Sequence, residues 1–321
     1  MRRIAFLAFA SLLLTTLAAA ANDPKLVSML DPSTRVVAGF DSTAIKATPF
    51  GQYLLSRAAK DDLSRFIAST GFDPRINLQL LLFGSVGGAN ETQRLLLAKG
   101  TFVPAQVIAF AMKKGAAAGT YRNVKVAEFA AFQDKRGKTH GPAWLVFLGS
   151  TRAAFGSPEF VQHAIDRYVN GTAADTALAS RITAASGRYN VWYVSTVPGP
   201  EVALRLPQSS SNELVGLAAT ALQSVQSESA GVTFGQNGAL VHGQAVTASP
   251  AEALSLVDRI RYMGSVAVTQ ATQKQKPTLA NLIQKAVVTT QGPNVNWTLQ
   301  VTEAQLEKLA QAHQQHRQSA Q

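Results

Sequence analysis

The sequence predicts an α+β protein with antiparallel sheets and helices packed on one face. We expect a ferredoxin-like first unit followed by duplicated ββααβ units. Three observations lead to this prediction: the order of elements in the first half, a tight hairpin at Asn237-Gly238, and a motif that occurs twice. The 321 residues are enough for one large or two small hydrophobic cores.

The first residues resemble a cleavable secretion signal. Arg2 and Arg3 precede an apolar run at residues 4–17, and the small residues 18–21 follow. The run is shorter than the roughly 20 residues that a membrane span requires. We therefore predict a signal peptide over 1–21, no transmembrane segment after its cleavage, and a soluble periplasmic or secreted protein.

The elements of the first half alternate in a recognisable order. Thr48-Pro49 opens a predicted helix that Gly71 ends, because threonine caps free N–H groups and glycine tolerates left-handed backbone. The remaining predicted elements are strands at 36–40, 78–83, 94–102 and 121–132, and a helix at 104–114. The order β-α-β-β-α-β predicts a ferredoxin-like unit over residues 22–141.

A second pattern occurs twice without gaps. A Ser-Pro helix start, six further residues, and an aliphatic residue with Asp-Arg begin at Ser157 and again at Ser249. A strand pair precedes each copy, and a second helix and a strand bearing Trp192 or Trp297 follow. This predicts a duplication, because such a unit needs a neighbour to bury its apolar faces. The predicted segments are copy 1 at 142–200, a linker and helix at 201–227, copy 2 at 228–301 and a C-terminal helix at 302–321.

Turn and helix-start signals support the predicted elements of the second copy. Asn237-Gly238 between two strands predicts a tight hairpin. Ser249, Pro250 and Glu252 form a helix-start signature in which serine caps the helix and glutamate bonds back. We expect this helix to end near Met263.

The amino-acid composition excludes some kinds of chemistry and favours one kind of partner. The chain has no cysteine, which excludes disulfides and thiolate catalysis. Its net charge is +11, and the excess is concentrated in residues 22–200, with 20 Lys/Arg against 12 Asp/Glu. This charge favours anionic partners, although no run of five like charges points to specific nucleic-acid binding.

No motif of catalysis, cofactor binding or metal binding is predicted. His313 and His316 have a metal-compatible spacing but lie in a polar helix end without a third ligand. Asp166 and Asp258 could form a pair of catalytic carboxylates, but an ion pair with the arginine that follows each is the simpler interpretation. We therefore expect no catalytic residues, no cofactor and no metal.

The densest basic feature is the loop at 134–140. Lys135, Arg136, Lys138 and His140 are candidate contacts to an anionic surface, with a solvated turn as the alternative.

Three phrases resemble a family of uncharacterised exported proteins of soil bacteria, Acidobacteria among them. They begin at Gly71 (Gly-Phe-Asp-Pro), Lys99 (Lys-Gly-Thr-Phe) and Gly156 (Gly-Ser-Pro-Glu). The resemblance covers most of the mature chain and implies a compartment and a fold style, without an active site.

We therefore predict a non-enzymatic binding or scaffold protein of the bacterial periplasm. Its expected partner is an envelope protein or an anionic envelope component. Two alternatives stay open at this point: a hydrolase whose site is assembled from dispersed residues, and a binder of anionic lipid or polysaccharide. The sequence predicts neither the ligand nor the oligomeric state.

Overall fold

The computed structural model describes residues 23–56, 60–87, 93–133, 137, 139–207 and 212–318. Over these ranges the protein is α+β with antiparallel sheets, which confirms the predicted class. The predicted signal at 1–21 lies outside the described residues. The described chain divides into two compact units: unit 1 comprises the residues up to Lys46 and Leu54–Val191, and unit 2 comprises Ala47–Tyr53 and Trp192–Gln321.

Unit 1 is built on a seven-stranded sheet in the order β1-β2-β3-β9-β8-β5-β4. Two short strands, β6 and β7, pair separately. The strands are β1 (Val36–Asp41), β2 (Leu78–Ser85), β3 (Arg94–Gly100), β4 (Ala117–Tyr121), β5 (Val124–Phe129), β6 (Phe132–Gln133), β7 (Thr139–His140), β8 (Ala143–Leu148) and β9 (Arg152–Gly156). Its helices are α1 (Pro24–Ser28), α2 (Ser42–Lys46), α4 (Lys60–Thr70), α5 (Pro74–Asn77), α6 (Pro104–Lys113), α7 (Pro158–Asn170) and α8 (Thr176–Ser186).

One face of this sheet forms the core of unit 1 beneath α1 and α7. Leu82, Leu97 and Val146 are at most 1% exposed and point to this face. Leu26 of α1 and Ile165 of α7 are fully buried against it. The alternation of buried and less buried residues along each strand follows from side chains that point to opposite faces.

The strand order of unit 1 differs from the predicted ferredoxin-like order. A split βαβ unit leaves room for another strand between the two strands that its helix joins. Here β1 and β2 are direct antiparallel neighbours from Val36 with Ser85 to Asp41 with Leu80. The sequence predicted β1, β2, β3 and α6, but the predicted strand at 121–132 is divided among β4, β5 and β6. The pairing was not predicted, because the same order of strands and helices is compatible with several sheet topologies.

Unit 2 is built on a five-stranded sheet in the order β13-β14-β12-β11-β10. Its strands are β10 (Val191–Ser195), β11 (Val225–Gly235), β12 (Gly238–Thr247), β13 (Val287–Gln291) and β14 (Asn294–Thr302). Its helices are α3 (Pro49–Ser56), α9 (Gly199–Ala203), α10 (Glu213–Leu222), α11 (Pro250–Gln273), α12 (Pro277–Lys285) and α13 (Glu303–Gln318). Its core joins Ala245 and Val295 of the sheet to Ala253, Leu256 and Val257 of α11.

The local signals of unit 2 form as predicted. The hairpin between β11 and β12 forms where it was predicted, but its two turn residues are Gln236 and Asn237, and Gly238 begins β12 with a φ of 125°. Ser249 Oγ accepts the N–H of Glu252 at 3.2 Å, and a Glu252 carboxylate oxygen accepts the N–H of Ala248 at 3.0 Å. The helix continues to Gln273 rather than ending near Met263, because α12 packs against its second half.

The predicted duplication is compared element by element. Both copies show a hairpin followed by two helices, β8-β9-α7-α8 and β11-β12-α11-α12. In the second copy β14 pairs with β12, whereas β9 of the first copy pairs with β3. Trp192, on the strand predicted to close the first copy, belongs to unit 2. The duplication and the segment boundaries at 141, 200 and 227 therefore stay predictions.

None of the helices in the described part of the chain is both long enough and apolar enough to cross a bilayer.

Candidate functional site

The predicted basic loop falls largely outside the described residues. Lys135, Arg136 and Lys138 are not described. His140 lies in β7, where its ring stacks on Phe132 with centroids 4.8 Å apart. The anion contact therefore stays a prediction. At the base of the loop, the Gln133 side chain also donates a hydrogen bond to the Gly137 carbonyl at 2.8 Å.

A different surface is prominent on the sheet of unit 1. On the face opposite α1 and α7, cross-strand pairs join Phe83 to Leu96, Leu96 to Phe155, and Phe155 to Leu145. Phe83 is 37% exposed and Phe155 is 41% exposed, and Phe40 on β1, on the same face, is 36% exposed. We call the surface formed by Phe40, Phe83, Leu96, Leu145 and Phe155 the open apolar face.

The open apolar face runs across five neighbouring strands. Adjacent strands lie about 4.8 Å apart, so the face is on the order of 20 Å wide. Phe129 meets Phe155 edge to face, with ring centroids 6.1 Å apart, and continues the apolar surface onto β5. Such a continuous patch on a sheet is typical of a binding surface, because antiparallel sheets that face water usually present polar residues.

An aromatic cluster covers one end of this face. Phe147 of β8 points to the same face as Phe155, and its ring centroid lies 5.3 Å from that of Phe102. Phe102 stacks on Phe72, and Phe66 of α4 meets both Phe72 and Phe110 of α6. The helices α4 and α6 therefore approach this face, so unit 1 carries helices on both sides of its sheet rather than on one.

On the covered face, charged groups anchor α1. Asp23 caps this helix by accepting the backbone N–H groups of Lys25 and Leu26. Arg152 Nη2 lies 2.8 Å and Lys99 Nζ 3.3 Å from the same carboxylate oxygen of Asp23. Burial opposes ionisation of Asp23, but the two cations and the helix N–H groups outweigh it and lower the pKa of this carboxyl. The group is an ionised structural anchor.

A second carboxylate ties the segment after α1 to α7. Asp31 accepts hydrogen bonds from the backbone N–H and the hydroxyl of Ser33, and it contacts Nδ1 of His163. Burial of Asp31 is again outweighed by these partners, which lower the pKa of its carboxyl. His163 therefore links α7 to the segment that follows α1.

The two aspartates of the repeated motif have different surroundings. Asp166 accepts a hydrogen bond from the Tyr121 hydroxyl at 2.9 Å and lies 2.9 Å from Arg122 Nε. It pairs with Arg122 and not with the neighbouring Arg167, which donates to two backbone carbonyls instead. The Asp258 side chain is 80% exposed and lies 3.9 Å from its nearest paired cation. Each surrounding is that of a structural or surface carboxylate.

Unit 2 contains a half-buried acid. Tyr193 of β10 donates a hydrogen bond to Glu228 of β11. Burial raises the pKa of the Glu228 carboxyl, and the tyrosine offsets this only in part. Burial and the nearby glutamate likewise raise the pKa of the Tyr193 hydroxyl. The two groups are hydrogen-bonded to each other, and no sequence motif indicates this pair.

Among the described residues, no cluster of three His, Cys, Asp or Glu side chains is arranged to hold a metal ion. The side chains of His313 and His316 lie outside those described.

The open apolar face was missed at the sequence level, although a signal for it existed. Strands β2 and β3 read as nearly continuous apolar runs, with Leu80 to Phe83 and Leu95 to Ala98. Such runs are typical of strands covered on both faces. By contrast, residues 241–244 of β12 (Val-His-Gly-Gln) alternate apolar or small residues with polar ones, as expected for a sheet with one solvent-exposed face.

Comparisons with known proteins give information on the fold. No protein-family model matches this chain. No curated protein matches it either. Among solved structures, crystal form III of TP0453 covers 90% of this chain and 97% of its own, with 10% identity and a TM-score of 0.52. Crystal form IV of TP0453 covers 90% and 96%, with 11% identity and a TM-score of 0.50. At such identities the likeness shows a shared fold alone.

Proposed function

We propose that this chain is a non-enzymatic binding protein of the bacterial periplasm that holds another protein through the open apolar face. The compartment rests on the predicted signal at 1–21. The binding role rests on one observation: Phe83 is 37% exposed and Phe155 is 41% exposed on a sheet whose other face packs beneath α1 and α7. Burying such rings on a partner is favourable, by about 25 cal/mol for each Å² removed from water.

The size of the face favours one kind of partner. Covering a phenylalanine side chain buries roughly 200 Å², so the three partly exposed rings and the two half-buried leucines leave on the order of 300–400 Å² open. A stable interface buries about 800 Å² on each side. Two copies meeting through this face alone would fall short of that area, and a different partner protein must likewise add contacts beyond the face. One amphipathic helix of a partner protein would cover the face, as α7 covers the opposite one.

The charged groups of unit 1 support binding rather than hydrolysis. Asp23 and Asp166 each pair with a cation inside the fold, and Asp31 is held by Ser33 and His163. A carboxylate whose pKa is lowered, as those of Asp23 and Asp31 are, is a poor general acid near neutral pH. These residues therefore explain how unit 1 is held together.

The experiment compares captured partners between matched variants. Phe83→Ser with Phe155→Ser removes two rings from the open apolar face. Leu240→Ser changes an exposed leucine on the open face of the unit 2 sheet, where the residue is 44% exposed. We expect the wild-type protein and Leu240→Ser to retain the same envelope protein at low and high salt, because apolar contacts resist screening. The double variant should lose it.

The kind of partner is tested by crosslinking. A photoreactive phenylalanine analogue at position 155 should attach to partner residues spaced three to four apart, which indicates a helix. Circular dichroism of the double variant controls for folding. Equal retention by a folded double variant, or crosslinks to lipid or polysaccharide instead of protein, would contradict the proposal.

A further inference from the structure

The edge of the unit 1 sheet carries a second feature, which is independent of the open apolar face. Strand β4 is the last strand of the sheet and joins β5 through Arg122 and Asn123. Both turn residues have positive φ, 51° and 62°, as in a tight two-residue hairpin. The pairing of Tyr121 with Val124 closes this hairpin.

The hairpin geometry determines which backbone groups of β4 remain free. Opposite residues alternate between pairs that exchange both hydrogen bonds and pairs that exchange none. Tyr121 and Gly119 belong to the bonded class, so the N–H and C=O groups of Ala118 and Thr120 point away from β5. Both residues are exposed, and no described residue supplies a partner for these groups. Two residues of β4 therefore present donors and acceptors for an added strand.

The usual devices that protect a sheet edge are absent from β4. Its sequence, Ala-Ala-Gly-Thr-Tyr, holds no charge and no proline, although proteins commonly place lysine, proline or bulges on exposed edges. At the edge of the unit 2 sheet, by contrast, a side chain approaches the outward backbone groups. Strand β13 has the carbonyl of Val288 directed outward, and Arg261 Nη2 approaches it within 3.5 Å.

The surroundings of β4 select the charge of a partner. Lys125 lies directly opposite Thr120 on the neighbouring strand. Lys113 and Lys114 end α6 shortly before β4. Two acids lie beside β4 on the other face of the sheet: Glu128 leans over Gly119, and Asp166 is paired with Arg122 and accepts a hydrogen bond from Tyr121. An added strand with acidic side chains near Lys125 gains favourable cross-strand pairs. A second copy of the chain would bring the same lysines together, which is unfavourable.

We propose that β4 accepts an extended, acidic segment of another protein by β-strand addition. Backbone hydrogen bonds to Ala118 and Thr120 supply the recognition of an extended polypeptide, and Lys125 supplies the preference for acidic side chains. This proposal does not depend on the open apolar face, because it uses the edge of the sheet.

The test uses a short fluorescent peptide in which valine alternates with glutamate, measured by anisotropy on the full chain. Ala118→Pro removes one outward N–H, a change that an edge strand tolerates. We expect it to weaken binding by about tenfold. Thr120→Glu leaves the backbone intact and should weaken binding through repulsion. Thr290→Pro removes the equivalent outward N–H on β13 and should have no effect.

Further peptides and a mass measurement complete the test. A peptide with lysine in place of glutamate, and one methylated on its pairing nitrogens, should bind weakly. Equal binding of the acidic peptide to the wild type and to a folded Ala118→Pro variant would overturn the proposal. The same holds if the wild type shows no saturable binding. A wild-type dimer in sedimentation that Ala118→Pro dissociates would assign the edge to a second copy instead.

Discussion

Each sheet of this chain packs one face beneath helices. The opposite face of the unit 1 sheet is covered only at the end that α4 and α6 approach, and it differs in chemistry from the opposite face of the unit 2 sheet. Unit 1 presents phenylalanine and leucine there, whereas unit 2 presents mainly polar residues. In unit 2 the Gln244 side chain donates to Asn296 at 3.0 Å, with Thr298 and Gln300 along the same strand. Both faces belong to one chain and one compartment. A polar face is thus sufficient for this architecture, and the apolar face of unit 1 calls for a separate explanation.

The difference between the two faces of the unit 1 sheet also distinguishes side chains that stabilise the fold from side chains that bind a partner. Side chains that hold a unit together are those of the covered face, and their loss lowers the free energy of unfolding. Side chains that bind a partner can be lost at little cost to the isolated protein. Neighbouring residues on one strand of unit 1 make this distinction directly measurable.

The largest expected change in the free energy of unfolding is at Leu97, and its neighbour Leu96 serves as the comparison. Leu97 is fully buried, whereas Leu96 is half-buried on the open apolar face. Leu97→Ala should lower the free energy of unfolding by about 3 kcal/mol, and Leu96→Ala by less than about 1 kcal/mol. Urea unfolding measures both. Equal losses would mean that the open apolar face is covered in the isolated protein.

A somewhat smaller effect is expected at Asp23, which holds the cover on the other face of the same sheet. Asp23→Asn removes the charge that pairs with Arg152 and Lys99, and should cost about 2–3 kcal/mol. Because the pKa of Asp23 is lowered in the folded state, its contribution is present above the ordinary value of 3.8 and is lost as the pH falls below it. Thermal unfolding against pH should therefore show a flatter acid limb for the variant. An unchanged acid limb would refute this assignment.

The smallest effect is expected on the polar face of unit 2. Gln300 is exposed and lies opposite Leu240 on β12. Gln300→Val should change the free energy of unfolding by no more than about 0.5 kcal/mol. It should also leave partner capture unchanged. A loss above about 2 kcal/mol would show that this face is covered, and the contrast between the units would disappear.

Local chemistry explains which parts of the fold could be predicted. The cap at Ser249 and the hairpin that ends at Gly238 depend on a few consecutive residues, so the sequence predicts the cap in full and the turn to within one residue. The pairing of β1 with β2 depends on residues about forty positions apart, and the destination of β10 depends on strands formed later in the chain. Periodicity shows which residues share a face, but it does not identify the neighbour of that face.

The same reasoning explains the candidate site. The continuous apolar runs at Leu80 and Leu95 predict burial on both faces, and only the structure reveals that one of these faces lacks a cover. Basic residues in a loop are readily predicted as a binding site, whereas apolar residues in a strand are assigned to the core. The half-buried pair of Tyr193 and Glu228 joins two distant strands and leaves no motif.

The anchor at Asp23 has a consequence for the order in which the protein forms. Its hydrogen-bonding partner Arg152 lies 129 positions further along the chain. During synthesis α1 is therefore made early, but Asp23 has no Arg152 to pair with until β9 has emerged. Contacts between such distant residues slow folding. Unit 1 should acquire its native N-terminal cover late, and a nascent chain stopped before Arg152 should leave α1 open to proteases.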